Sequence, residues 1–294
     1  MKGYLFAIIS ALIYGCMPLM AKGVYAQGVN PMTLVLLRNL LALPVLALLA
    51  LYENKTLKIP VRALPSLGTI AVTGGCLTPI LLFASYLYMD SGTATVFHSI
   101  HPAVVVLVGM LFLKREKVTS NLISVAMCIA GIGLFYNPET TLDWRGCLPA
   151  LASGVTYAVY ILMMSQFSYK QISGYLFSFY IALISSIIML AVCAASGQLT
   201  LPTTVVGWCR CGIFAVAITV GAVFLFQQST FLIGGEKTSI LSTLEPITGV
   251  VLGAVVFHEQ VNAGVVIGSA LVIGASLLIA LSDVRKKENI YECR

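Results

Sequence analysis

Apolar runs of roughly twenty residues recur from one end of this chain to the other. That length matches the hydrocarbon core of a bilayer, and in lipid each such run is obliged to be helical because its backbone finds no water to bond. Ten runs can be counted: Tyr4–Val24, Met32–Tyr52, Leu67–Tyr88, Thr93–Leu113, Leu122–Tyr136, Gly146–Ser165, Tyr175–Ala195, Gly212–Ile233, Ser239–Phe257 and Ala263–Leu281. The connections between them are short. Charged residues make up 10% of the 294 residues, against the quarter of a soluble domain, and no polar stretch is long enough for a soluble domain. The fold class read from this pattern is an all-α polytopic membrane protein.

Charge gives the orientation. With the N-terminus in the cytoplasm, the inner loops hold Lys2, Lys55, Lys58, Arg62, Lys114, Arg115, Lys117, Lys170, Lys237, Arg285, Lys286, Lys287 and Arg294. The outer loops hold Lys22, Arg145 and Arg210, and Arg38 lies within a span. The positive-inside rule therefore places both termini in the cytoplasm. The net charge of +6 is concentrated at helix ends and calls for no nucleic-acid partner. The N-terminal stretch reads as a first span rather than a cleaved signal, since its charged region is minimal and the apolar run continues past Tyr14 and Pro18. The cysteines lie mostly inside apolar runs and read as small buried hydrophobes.

The chain also repeats itself. Ser10 and Ser153, Tyr14 and Tyr157, Gly92 and Gly235, Glu116 and Glu259, and Gly131 and Gly274 all pair at an offset of 143 residues. His101-Pro102 and Glu245-Pro246 pair one residue out of that register. A constant register across half a chain is the signature of duplication. Each half contains five spans, and an odd number forces the second copy to enter the membrane from the opposite side. The expectation is ten transmembrane helices in two inverted five-helix repeats, residues 1–138 and 145–282, with a cytoplasmic tail at 283–294. That architecture places a solute site near the midplane between the repeats.

Several motifs resemble the EamA family of the drug/metabolite transporter superfamily. They are Tyr14-Gly15 in the first span, Leu37-Arg38-Asn39 with Leu40 to Ala42 in the second, and Glu245-Pro246 through His258-Glu259 to Gly274. The first-half counterpart runs from His101-Pro102 through Lys114-Arg115-Glu116 to Gly131, with histidine where the family often has glutamate. The resemblance covers essentially the whole chain. It implies a ten-helix carrier of two five-helix repeats that exports a metabolite from the cytoplasm through the cell membrane.

Candidate site residues follow from the cost of polar groups in lipid. A carboxylate at Glu245, among Leu241, Leu244 and Ile247, has to face a cavity or a partner. His98 and His101 share a helix face and suit solute hydrogen bonding or gating. Arg38 is placed either to reach the surface along its stem or to clamp a carboxylate with its planar fork. Tyr14 and Tyr157 are expected to face each other across the pseudo-axis. Tyr86, Tyr160, Tyr180, Gln227 and Gln228 add polar tips suited to small amphipathic solutes. Tyr4, Tyr52, Tyr88 and Tyr136 read instead as an interfacial belt. Pro18, Pro44, Pro79, Pro102 and Pro246 interrupt the spans, and Gly74-Gly75 with Thr78-Pro79 mark the third as a moving element.

No nucleotide loop, zinc motif or nucleophile–base pair is present, so neither an enzyme nor a cofactor or metal site is expected. The reading is a secondary transporter whose partners are a small-molecule substrate, the lipid bilayer and, where transport is coupled, protons, in a monomer or homodimer. Amino acids and related zwitterions lead, with Arg38 facing a carboxylate and Glu245 an ammonium. Cationic drugs, nucleobases and sugar derivatives are rival cargoes, and a lipid-flipping or membrane-assembly protein is the rival class.

Overall fold

The computed structural model describes residues 2–112, 119–134, 143–167 and 172–257, and, near the end, 263–264, 266–271, 273–275 and 278. Among the described residues every regular element is helical. Eight helices are long and apolar enough to span a bilayer: α1 (Lys2–Tyr25), α2 (Pro31–Asn54), α3 (Val61–Ser85), α4 (Gly92–Gly109), α6 (Trp144–Ser165), α7 (Gly174–Ser196), α8 (Val205–Ile233) and α9 (Gly235–Val256). Helix α5 (Thr119–Leu134) and the segment Val266–Ala275 are shorter. They fall on the fifth and tenth expected spans, whose remainders, apart from Ala263, Gly264 and Leu278, lie outside the described residues. So do Lys114-Arg115-Glu116, Lys170, His258-Glu259 and the tail.

Helix starts are chemically marked. Asn30, Ser173, Thr204 and Asp143 each accept a backbone N–H from the first turn of the following helix, which satisfies donors the helix itself leaves open. Asn30 does more than cap. Its Nδ2 donates to the Gln198 carbonyl at 2.7 Å and its backbone N–H donates to Thr200 Oγ1 at 2.8 Å, tying α2 to the loop after α7. Asn30→Ala is expected to cost about 1–2 kcal/mol, read as a lower thermal midpoint of the detergent-solubilised protein. An unchanged midpoint would show that the cap and the loop contacts are dispensable.

The outside of the bundle is apolar. Leu5, Leu12, Leu48, Ile187, Ile213 and Val255 are exposed, as befits side chains that meet acyl chains. Tyr4, Tyr52 and Trp144 are exposed at helix ends, where amphipathic rings sit at headgroup depth. Inside, Phe83, Phe177, Phe214 and Phe226 are fully buried among Leu34, Leu37 and Leu67. Lipid supplies no hydrophobic drive between helices, so close contact depends on small residues. A Cβ on Gly15 would come within 2.3 Å of Thr248 Cβ, and one on Gly154 within 2.5 Å of the His98 carbonyl. These glycines set the approach of α1 to α9 and of α6 to α4.

The packing partners form matched pairs. Helix α1 packs on α8 and α9, and α6 packs on α3 and α4. Helix α2 packs on α8, and α7 packs on α3. Each of these contacts crosses between the sequence halves, as do those of α2 with α7 and of α4 with α9.

Five of the spanning helices are interrupted. Helix α1 breaks at Cys16. Helix α4 breaks at Ser99-Ile100, between Ser91–His98 and His101–Phe112. Helix α9 breaks at Ser242-Thr243, between Gly235–Leu241 and Leu244–Phe257. Helices α3 and α8 each carry a π-helical stretch, Ala71–Leu77 and Ala215–Val223. Such stretches loosen the backbone ladder and recur at functional sites.

Candidate functional site

All five interrupted helices converge on one cavity. Its lining comprises Tyr14 and Met17 from α1, Arg38 from α2, Gly74, Thr78, Pro79, Leu82 and Phe83 from α3, and His98 from α4. Tyr157 and Tyr160 come from α6, Val223 from α8 and Glu245 from α9. Irregular backbone at membrane depth is tolerated only where it lines a cavity or is buried in protein, and each interruption here meets that condition. The volume open to water is about 40 Å³, room for a few water molecules and well below the roughly 300 Å³ at which ligand pockets begin. The cavity is constricted.

Two charged groups stand in its wall. Arg38 is 5% exposed, and its guanidinium lies over the Phe83 ring at 5.8 Å while its Nε has no hydrogen-bond partner. Glu245 is 3% exposed in the first turn of the second half of α9. Among the described residues neither forms an ion pair. Beside Arg38, Asn39 Nδ2 donates to the Gly75 carbonyl at 3.3 Å, fixing α2 against the π-helical stretch of α3. Across the cavity, Thr78 and Thr156 hydroxyls meet at 2.8 Å and hold α3 to α6.

Aromatic rings make up much of the same wall. Tyr14 and Tyr157, the repeat-related tyrosines, both line the cavity and both pack against Phe226. Tyr157 stacks on Tyr160 with centroids 5.6 Å apart and meets Phe226 at 5.3 Å. Tyr14 meets the same Phe226 edge-on at 6.4 Å. The Tyr160 hydroxyl accepts from Gln227 Nε2 at 3.1 Å, and Gln227 Oε1 accepts from Ser178.

The sequence-nominated residues therefore separate. Glu245, Arg38, His98, Tyr14 and Tyr157 line the cavity. His101 lies just behind it, its ring edge-on to Tyr157 at 4.9 Å and its Nε2 2.9 Å from Ser242 Oγ across the α4–α9 contact. Tyr86 is buried beside Phe83, with centroids 6.1 Å apart. Gln227 supports Tyr160 from behind. Gln228 packs against Gly174, where a Cβ would fall 1.6 Å from its Nε2. Tyr180 points away: its hydroxyl donates to the Leu57 carbonyl at 2.7 Å, on the loop between α2 and α3. Met17 and Phe83 carried no polar mark in the sequence, and only the fold brings them to the wall.

An apolar bundle that crosses the bilayer and gathers its few buried polar groups at interrupted helices is a multi-pass membrane protein of transporter type. The chain belongs to the EamA-like transporter family, whose sequence profile matches it twice, over residues 1–137 and 144–281. It is 30% identical over 137 residues to a protein of Haemophilus influenzae strain Rd named "Uncharacterized transporter", a match spanning 46% of this chain and 44% of that relative's length. It is also similar in fold to a solved structure described as "Crystal structure of protein", with a TM-score of 0.72 and 18% identity over 96% of this chain and 98% of that one.

Proposed function

We propose that this chain is a secondary transporter that exports amino acids or related zwitterions from the cytoplasm by alternating access. The observation that carries the solute class is the pair of buried, unpaired charges of opposite sign in one cavity wall. A guanidinium matches a carboxylate in a planar fork. A carboxylate matches an ammonium. The stacked tyrosines in the same wall offer apolar faces to a side chain. Each charge on its own is costly in a membrane interior, and a zwitterion compensates both at once, which a cation, a sugar or a neutral nucleobase does not.

The inverted-repeat reading is supported by the exchange of packing partners. Under the substitution of the first five spans for the last five, α1 on α8 and α9 becomes α6 on α3 and α4, and α2 on α8 becomes α7 on α3. Two halves that trade conformations open the cavity to one side and then the other, and the constricted volume of about 40 Å³ requires such an opening before a solute enters. Both termini face the cytoplasm of the cell or inner membrane on the charge distribution.

The test is solute competition in proteoliposomes. Uptake of radiolabelled amino acids is expected to be inhibited by unlabelled leucine or phenylalanine. It is expected to be insensitive to the matched carboxylic acids lacking an amine and to the matched amines lacking a carboxylate. Equal inhibition by the amines would assign the site to organic cations. Stabilisation of the purified protein by lipid alone, with no amino-acid uptake, would favour the lipid-handling alternative.

A further inference from the structure

The two histidines of α4 were equivalent in the sequence but are not equivalent in the fold. His101 has both ring nitrogens engaged, Nδ1 3.2 Å from the His98 carbonyl and Nε2 2.9 Å from Ser242 Oγ, and it is fully buried. His98 is engaged through one nitrogen, its Nδ1 lying 2.8 Å from Ser153 Oγ, and its ring lines the cavity that also holds Glu245.

The Ser153 hydroxyl has one proton and a closer acceptor for it. Its Oγ lies 2.6 Å from the Ala150 carbonyl one turn earlier in α6, the back-bond that serines favour inside helices. With that proton committed, Ser153 accepts from His98, and Nδ1 carries the histidine proton. In a neutral imidazole the other nitrogen then holds a lone pair. The ring is also held in place. Tyr157 and His101 flank it at 5.1 and 5.3 Å, and α6 approaches its backbone at Gly154.

We propose that His98, held by Ser153 in its Nδ1–H form, presents Nε2 to the cavity as a hydrogen-bond acceptor alongside Glu245, so that the transporter selects solutes with a primary ammonium. The selectivity rests on the zwitterion reading above; the state of the ring does not. A primary ammonium has three donors, enough for the carboxylate and the imidazole together. A trimethylated ammonium keeps the charge but has no N–H and leaves Nε2 facing methyl groups. A site built around a hydrogen bond rejects the analogue that lacks it far more strongly than a merely apolar site does.

The ring is read directly by nitrogen-15 NMR of histidine-labelled full-length protein in liposomes. The chain has three histidines, so His98→Gln assigns the resonances by difference. The expected spectrum for His98 is a protonated Nδ1 with an unprotonated Nε2, and Ser153→Ala is expected to shift it toward the Nε2–H form. A His98 that is protonated at Nε2 in the wild type overturns the proposal. Transport supplies the second arm: alanine is expected to compete for amino-acid uptake at least about tenfold better than its N-trimethyl derivative. His98→Phe is expected to lower uptake and to bring the two close to parity in the uptake that remains. Equal competition in wild type, or full discrimination in His98→Phe, overturns the role of His98 and leaves the zwitterion reading standing. No amino-acid uptake by wild type overturns that reading, and the primary-ammonium selectivity with it.

Discussion

Glu245→Gln is expected to lower amino-acid export by at least about thirtyfold, because losing one member of the buried charge pair that the carboxylate makes with the solute's ammonium costs roughly 2–5 kcal/mol and each 1.4 kcal/mol is about a factor of ten. Glutamine preserves the shape of the side chain and both of its polar positions, so the loss isolates the charge. Stability should move the other way. In the solute-free protein the carboxyl is buried in the cavity wall and, among the described residues, forms no ion pair, and replacing a buried, unpaired carboxyl by a neutral amide relieves a desolvation cost. The variant is therefore expected to melt no lower than wild type in detergent while initial export rates from loaded proteoliposomes collapse. A variant that is inactive and also unstable would point to a structural carboxyl. Unchanged export would remove Glu245 from the mechanism.

The position of that carboxyl shows what the sequence could and could not convey. Pro102 and Pro246 marked where α4 and α9 are irregular, yet the breaks fall just before them, at Ser99-Ile100 and Ser242-Thr243. A proline lacks the N–H that the first turn of a helix leaves unbonded, so each proline begins the second half-helix rather than ending the first. The π-helical stretch of α3 was foreshadowed by Gly74-Gly75 and Thr78-Pro79. Its counterpart in α8, Ala215–Val223, contains no proline and left no comparable signal; it packs against α1 and α2.

Side-chain direction was the least legible property. Tyr14, Tyr157 and Tyr180 are the same residue type in equally apolar helices. Two reach the cavity, while the third anchors a loop carbonyl 123 residues away in sequence. His98 and His101 lie on one helix face in an unbroken α4. The interruption between them turns one to the cavity and the other to Ser242. Periodicity locates a span and its polar residues; which neighbour each of them meets is decided by tertiary contacts that no local pattern records.

Gly74→Ala is expected to lower both stability and transport, and the geometry says by which route. A Cβ at this position would fall 2.2 Å from Tyr160 Cδ2 and 2.5 Å from its Cε2 and Cγ. Those atoms belong to a rigid ring stacked on Tyr157 and hydrogen-bonded to Gln227, so no small rotation relieves the clash. Overpacking of this kind costs about 1–3 kcal/mol, and the displaced ring is itself part of the cavity wall. The check is a double-mutant cycle on the thermal midpoint. Tyr160→Ala removes the obstacle, so the double variant should be destabilised by clearly less than the sum of the single variants. Gly68→Ala, where an added Cβ meets nothing within 4 Å, is the control in the same helix; it should be neutral or stabilise by up to about 1 kcal/mol through helix propensity alone. Additive losses at Gly74 and Tyr160 would mean that α3 yields around the new methyl group. The close approach of α3 to α6 would then be incidental to the cavity rather than what shapes it.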